Sequence, residues 1–121
     1  MKKNIMVVDD EDSLLQLMDG LLSNAGYNVS TARSGDECLK KLEKEKPDLL
    51  ILDMMMPGMS GRKVVENIRK NKNIKNLKIV FLTVARFSEA GKDVLTKFKV
   101  LDYITKPFET EELLKRIKKI V

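Results

Sequence analysis

The sequence contains no histidine and no tryptophan, and Cys38 is its one cysteine. Without histidine the chain cannot build a Ser-His-Asp or Cys-His catalytic arrangement, and zinc sites based on imidazole are excluded. A single cysteine cannot form an internal disulfide. Cys38 lies beside Leu39 and Leu42 on the apolar side of a predicted helix, so we interpret it as a small core residue rather than as a redox centre.

Long apolar runs are also missing. No segment approaches the roughly 18 consecutive apolar residues that a membrane-spanning helix needs. At the start of the chain, only a short apolar run separates Asn4 from two aspartates, which is too little for a signal peptide. A length of 121 residues suits one globular domain. We therefore expect a single domain over residues 1–121, located in the cytoplasm and without membrane contact.

Aromatic residues are few, and charge is distributed unevenly. Residues 1–60 hold 7 Lys and Arg against 11 Asp and Glu, whereas residues 61–121 hold 16 against 7. A basic half fits a nucleic-acid or acidic-protein partner, or lysines that coat helix exteriors, and we favour the last interpretation. No aromatic residues are interleaved with the basic ones as a stacking surface, which argues against single-strand binding. We expect no direct contact with nucleic acid.

Short apolar runs alternate with helical patterns five times along the chain. The predicted strands cover residues 5–8, 27–32, 49–52, 79–82 and 103–104. The predicted helices run up to Gly26, from about Ser34 to Lys46, through Val64, Val65 and Ile68, from about Ser88 to Lys99, and from about Thr110 to Ile120. This pattern predicts an α/β fold: a doubly wound, flavodoxin-like sheet of five parallel strands in the order 2-1-3-4-5, with five helices in three α/β/α layers.

Polar side chains follow four of the predicted strands. Asp9 and Asp10 follow the first strand, Asp53 the third and Thr83 the fourth, and Lys106 comes shortly after the fifth. Ligands of open α/β sheets bind outside the carboxyl ends of the strands, so these side chains are expected to converge. Neighbouring carboxylates repel one another, and Mg²⁺ removes that penalty because it prefers oxygen ligands. The three aspartates therefore predict a magnesium site, in which one of the two adjacent aspartates ligates through water.

Asp53 beside such a metal can attack phosphorus and form an aspartyl phosphate. Lys106 offers a positive charge and Thr83 a hydroxyl to the phosphoryl oxygens, and the backbone carbonyl of Met55 is a further candidate metal ligand. Each residue taken alone also has an ordinary structural explanation, as a polar residue at a strand end or a lysine before proline. Their joint placement is what favours a phosphoryl-transfer site.

Four segments together resemble the receiver domain of two-component response regulators, and the similarity extends over essentially the whole chain. They are Val7–Glu11 (VVDDE), Leu52–Gly61 (LDMMMPGMSG), Leu82–Thr83 and Asp102–Phe108 (DYITKPF). The resemblance is to a single-domain, chemotaxis-regulator-like receiver.

This resemblance implies a signalling switch rather than a turnover enzyme. Asp53 would accept a phosphoryl group from a sensor histidine kinase or a phosphotransfer protein, and Lys106 and Thr83 would hold it. The resemblance also implies Mg²⁺ bound by the oxygen ligands of Asp9, Asp10, Asp53 and the backbone carbonyl of Met55. Tyr103 matches the aromatic switch of the family, which acts with Thr83, although a half-buried strand aromatic is an alternative explanation. The change of shape would be passed to a downstream protein target or output domain.

Two other functions use similar chemistry or the same fold. A Mg²⁺-dependent aspartyl-phosphate phosphohydrolase needs a second Asp two residues after the nucleophile, and Met55 occupies that position. A nucleotide- or flavin-binding module needs a Gly-rich loop after a strand, and none is present.

The chain also departs from the family pattern. Met55 and Ala85 lack groups that orient an attacking water, which predicts slow loss of the phosphoryl group. Lys99 and Val100 stand where the family often has Gly-Ala, so the geometry of that turn is not fixed by the resemblance.

Overall fold

Five parallel strands form one sheet within residues 2–84, 93 and 95–121, the part of the chain that this computed structural model describes. The strands are β1 (Asn4–Val8), β2 (Asn28–Ala32), β3 (Leu49–Asp53), β4 (Ile79–Thr83) and β5 (Asp102–Thr105). Their order is β2-β1-β3-β4-β5, and every neighbouring pair is parallel. The predicted order is confirmed, and with it the switch point between β1 and β3.

Four helices have both ends within the described residues. They are α1 (Asp12–Asn24), α2 (Gly35–Leu42), α3 (Gly61–Lys70) and the C-terminal helix (Thr110–Ile120). Residues 93 and 95–97 are helical as well, in agreement with the helix predicted before β5, whereas residues 85–92 and 94 lie outside the described part. None of the helices searched there is long and apolar enough to cross a membrane.

The helices pack against both faces of the sheet and create two hydrophobic layers. One layer joins alternate residues of the strands, such as Leu50 and Leu52, to α2 and α3. The other joins the residues between them, such as Ile51, to α1 and the C-terminal helix. Because side chains alternate across a strand, a strand covered on both faces is apolar throughout, and all of β3 and β4 is buried. The predicted three-layer arrangement is confirmed.

The second helix is shorter than predicted. We expected it from about Ser34 to Lys46, but it ends at Leu42. Ser34 is the N-cap, and its hydroxyl accepts a hydrogen bond from the backbone N–H of Glu37 at 3.1 Å. The prediction was wrong at the other end because residues 43–44 form a turn and residues 45–46 have no regular structure, and because Pro47 disfavours helical backbone in the residue before it.

Cys38 of α2 is fully buried in the first of these layers. Burial raises the pKa of its thiol to about 12, which keeps the group protonated at neutral pH. The interpretation as a core residue is confirmed.

Two helix ends use the same C-terminal cap with different residues. At the end of α1, Gly26 has φ +100°, and the backbone N–H of Tyr27 donates to the carbonyl of Leu22 at 3.0 Å. Before β5, the N–H of Val100 donates to the carbonyl of Leu95 at 3.0 Å, and the left-handed position is Lys99 with φ +55°. Both are Schellman motifs. The first confirms Gly26 as a cap, and the second shows that Lys99 adopts the conformation for which Gly is favoured.

Arg69, in the last turn of α3, holds several segments together. Its guanidinium donates to the backbone carbonyls of Lys75 (2.9 Å), Leu77 (2.7 Å), Phe98 (2.7 Å) and Lys99 (3.3 Å). Among the described residues its partners are carbonyls rather than carboxylates, and burial lowers its pKa. Arg69 therefore fixes both the loop before β4 and the turn before β5.

Replacement of glycine by alanine should have opposite effects on stability at two helical positions, Gly20 and Gly61. A Cβ at Gly20 would meet nothing within 4 Å, whereas a Cβ at Gly61 would lie 2.5 Å from the carbonyl oxygen of Asp53 and 2.8 Å from the Cα of Met54. Gly20→Ala should raise the free energy of unfolding by about 1 kcal/mol, through lower chain entropy when unfolded. Gly61→Ala should lower it by about 1–3 kcal/mol, because α3 must move away from β3. Urea denaturation measures both, and equal changes at the two sites would contradict the packing described.

The turn before β5 gives a second stability prediction. Lys99→Gly should raise the free energy of unfolding by about 0.5–1 kcal/mol, because glycine adopts the left-handed conformation without the strain of a Cβ atom. Lys99→Ala is the matched control, since it removes the same charge but keeps the Cβ atom. A gain in the alanine variant equal to that of the glycine variant would show that charge, not backbone strain, matters at this position.

Candidate phosphoryl-transfer site

The sheet places three buried polar residues at its carboxyl edge. Asp9 follows β1, Asp53 ends β3 and Thr83 ends β4, and their exposed fractions are 0%, 4% and 2%. The strands are in register there, with Val8 opposite Leu52 and Asp53 opposite Leu82. Local sequence therefore brings together residues that lie far apart along the chain.

Asp9, Asp10 and Asp53 form an acidic cluster. Each contributes a carboxylate oxygen, and these oxygens all lie within 4.8 Å of one another. Asp9 is buried whereas Asp10 is exposed, as expected for neighbours whose side chains diverge. One oxygen of Asp9, Oδ1, accepts a hydrogen bond from the backbone N–H of Glu11 at 2.9 Å. The convergence predicted from the strand ends is present in the structure.

Lys106 supplies the positive charge inside this cluster. Its Nζ lies 2.8 Å from Oδ2 of Asp9 and 3.7 Å from Oδ2 of Asp53. Burial of the ammonium group opposes its charge, but the hydrogen bond to Asp9 and the attraction of Asp53 outweigh it, so the pKa of Lys106 is raised. The lysine remains charged and compensates Asp9 more closely than Asp53.

Asp53 is the least compensated of the buried carboxylates. The pKa of Asp53 is raised to about 6, chiefly because the carboxylate is buried. The backbone N–H of Met55, which donates to Oδ1 at 3.1 Å, and the charge of Lys106 act against this rise. The nearby charges of Asp9 and Asp10 contribute to the same rise. The ionised carboxylate of Asp53 therefore destabilises the folded state at neutral pH.

The donor set fits a hard divalent cation. Closely spaced carboxylate oxygens are the ligands that Mg²⁺ prefers, and the raised pKa of Asp53 shows that the nearby ammonium group does not fully offset the burial of this carboxylate. Asp10 is exposed, which leaves the cluster open to solvent on its side. The residues present therefore suit Mg²⁺ in chemistry and in access.

Other predicted site residues stay predictions. Thr83 lies at the same edge, and the backbone N–H of Lys106 donates to its carbonyl at 2.6 Å. Met55 is exposed, and metal binding by its backbone carbonyl stays a prediction. Tyr103 is half-buried against the core layer of α2 and α3, which agrees with both explanations given for it. Ala85, to which we attributed slow dephosphorylation, lies outside the described residues.

Sequence reasoning missed two features of this region. It assigned Lys106 only to the phosphoryl group, whereas the structure pairs it with Asp9 at a separation of 97 residues. It also missed Arg116 of the C-terminal helix, which donates to the carbonyl of Tyr103 at 2.9 Å and pairs with Asp102 at 3.4 Å. The excess of acidic residues around Asp9 could have indicated the pairing with Lys106. No sequence signal indicated the contacts of Arg116, because they depend on how a helix packs beside β5.

Comparison with known proteins identifies the class. The response regulator receiver domain family matches residues 5–118, and the chain belongs to this family. It is a receiver domain of the two-component type, which is a phosphorylation-activated signalling switch. The alternative of an aspartyl-phosphate phosphohydrolase receives no support from these matches.

Particular relatives agree in sequence and in structure. The chain is 42% identical over 121 residues to the alkaline phosphatase synthesis transcriptional regulatory protein PhoP of Bacillus subtilis; the match covers 100% of the chain and 49% of that relative, so the chain spans about half of its length. The chemotaxis protein CheY4 of Vibrio cholerae is 32% identical, with both chains covered fully and a TM-score of 0.93. The N-terminal domain of a response regulator receiver protein from Methanoculleus marisnigri is 30% identical, with 98% and 96% of the two chains covered and a TM-score of 0.82.

The raised pKa of Asp53 predicts that a neutral side chain at this position stabilises the protein, and that the gain depends on pH. The pKa of Asp53 rises from its ordinary value of 3.8 to about 6 on folding, so the folded state binds more protons in this window and loses stability as pH rises through it. Asp53→Asn should therefore raise the free energy of unfolding at pH 7 by on the order of 1–2 kcal/mol, with the gain vanishing below pH ~4. Urea denaturation in chelator at several pH values measures this difference.

The exposed carboxylate of Glu43 provides the control. Glu43→Gln should change the free energy of unfolding by less than about 0.5 kcal/mol at every pH. A gain for Asp53→Asn that did not vary with pH would show that the burial of its charge is not the cause.

Proposed function

We propose that Asp53 is the phosphoacceptor of this receiver domain. The observation that carries the proposal is the position of its carboxylate, buried at the carboxyl edge among Asp9, Asp10 and the ammonium group of Lys106. A carboxylate with unfavourable charge compensation gains from neutralisation by a cation, and the same cation offsets the charge of an incoming phosphoryl group.

The chemistry is a transfer between two nucleophiles. A carboxylate oxygen of Asp53 attacks the phosphorus atom of a phosphohistidine, the P–N bond breaks, and the leaving imidazole nitrogen recovers a proton from water. Mg²⁺, held by Asp9, Asp10, Asp53 and the carbonyl of Met55, supplies charge neutralisation when bound. Lys106, already 3.7 Å from Oδ2 of Asp53, moves from Asp9 toward the phosphoryl oxygens, and the hydroxyl of Thr83 donates to one of them.

The output of the site is a change of shape. Thr83 ends β4 and Tyr103 lies on the neighbouring strand β5, so movement of the threonine toward the phosphoryl group alters the space available to the aromatic ring. We propose that the resulting surface is recognised by a downstream protein or an output domain, that a sensor histidine kinase or phosphotransfer protein is the donor, and that the switch works in the cytoplasm without turning over a substrate.

Mass spectrometry after incubation with acetyl phosphate and Mg²⁺ tests the acceptor directly. The parent protein should gain one phosphoryl group, and Asp53→Asn should gain none, because an amide is not a nucleophile for phosphorus. Replacement of Mg²⁺ by a chelator should reduce phosphorylation of the parent at least roughly tenfold.

Asp48 offers a matched control, because it directly precedes the same strand at the end opposite to Asp53 and accepts a hydrogen bond from the backbone N–H of Asn4. Asp48→Asn should be phosphorylated like the parent. A phosphoryl group that persists in Asp53→Asn would place the acceptor elsewhere and would refute the proposal.

A further inference from the structure

A small concavity lies at the amino edge of the sheet, opposite the acidic cluster. The loop before β3 and the loop before β4 enclose a volume of about 220 Å³. Its floor contains the half-buried apolar residues Ile74 and Leu77, which pack against the core, together with Pro47. This volume is below that of typical small-molecule sites and suits a single side chain rather than a whole ligand.

Three lysines surround this floor. Lys46, Lys72 and Lys75 line the concavity and are exposed. Some lysines elsewhere pair with acids, as Lys63 does with Glu66 at 3.7 Å. Within the described residues the three rim lysines have no such partner, and no acidic residue lines the concavity. Their charges therefore remain available to a partner molecule.

The backbone of the surface is already fixed. The N–H of Ile74 donates to the carbonyl of Asn71 at 3.1 Å, and the N–H of Leu77 donates to the carbonyl of Ile74 at 3.0 Å. The Arg69 guanidinium holds the carbonyls of Lys75 and Leu77. A surface ordered in advance loses less conformational entropy when it binds.

We propose that this basic concavity, formed by Lys46, Lys72 and Lys75 around Ile74 and Leu77, docks an acidic polypeptide segment with one apolar anchor side chain. The rim selects Asp and Glu of the partner by charge, and the floor accepts the anchor. The apolar floor and the lack of aromatic residues in the lining favour a peptide over a nucleic-acid strand. The proposal does not depend on phosphorylation of Asp53. The concavity lies beside the start of β3, whereas Asp53 lies at the other end of this strand.

Titration of ¹⁵N-labelled protein with short capped peptides tests the proposal by NMR. Glu-Asp-Leu-Asp-Glu should shift the backbone amides of residues 72–77 in a saturable way. A peptide with Gln and Asn in place of the acids, and one with Gly in place of Leu, should each bind at least roughly fivefold more weakly. Equal binding of the neutral peptide, or shifts that lie outside this surface, would overturn the proposal.

Two double variants separate the surface from overall charge. Lys72→Gln with Lys75→Gln should weaken binding of the acidic peptide roughly fivefold, because two exposed ion pairs are lost. Lys115→Gln with Lys118→Gln, on the C-terminal helix, removes the same charge and should change affinity by less than about twofold. An equal loss of affinity in both variants would show that only the net charge of the protein matters. Tighter binding of a DNA duplex than of the acidic peptide to residues 72–77 would show a nucleic-acid surface. Either result refutes the proposal.

Discussion

One ammonium group makes the acidic carboxyl edge of the sheet possible. Asp9 is fully buried, and a buried carboxylate without a partner costs several kcal/mol, of order that of the whole stability margin. Lys106 provides this partner at 2.8 Å, across 97 residues of chain, and thereby ties the end of β5 to the end of β1. Since the same group is farther from Asp53, compensation is unequal, and the incompletely neutralised carboxylate is the one that can gain most from a cation and a phosphoryl group.

Much of this arrangement follows from sequence because a parallel sheet covered on both faces leaves strong traces. All of β3 and β4 is buried, so their apolar runs stand out, and the polar residue that ends each run marks the carboxyl edge. The positions of Asp9, Asp53 and Thr83 depend only on the ends of strands and on their order. For that reason the acidic cluster could be predicted before its distances were known.

Other features depend on contacts that no local pattern encodes. The sequence placed Lys106 at the correct edge but not beside Asp9, since the choice among three carboxylates is made by side-chain packing. The end of α2 was predicted too late, because Lys44 and Lys46 suit the end of a helix, whereas the chain instead turns at residues 43–44 and runs irregularly to β3. The left-handed backbone of Lys99 was unexpected for a lysine, and the cap geometry rather than residue preference decides it.

The contacts of Arg69 have a consequence for how the molecule responds to its surroundings. Charged pairs at the surface weaken as ionic strength rises, since dissolved ions screen them over about 8–10 Å under ordinary conditions. Arg69 instead binds uncharged carbonyls in a partly buried position, so dissolved ions have little opposing charge to screen. The attachment of α3 to the loop before β4 and to the turn before β5 should therefore depend little on salt concentration, whereas the exposed lysines of the same protein respond to it strongly.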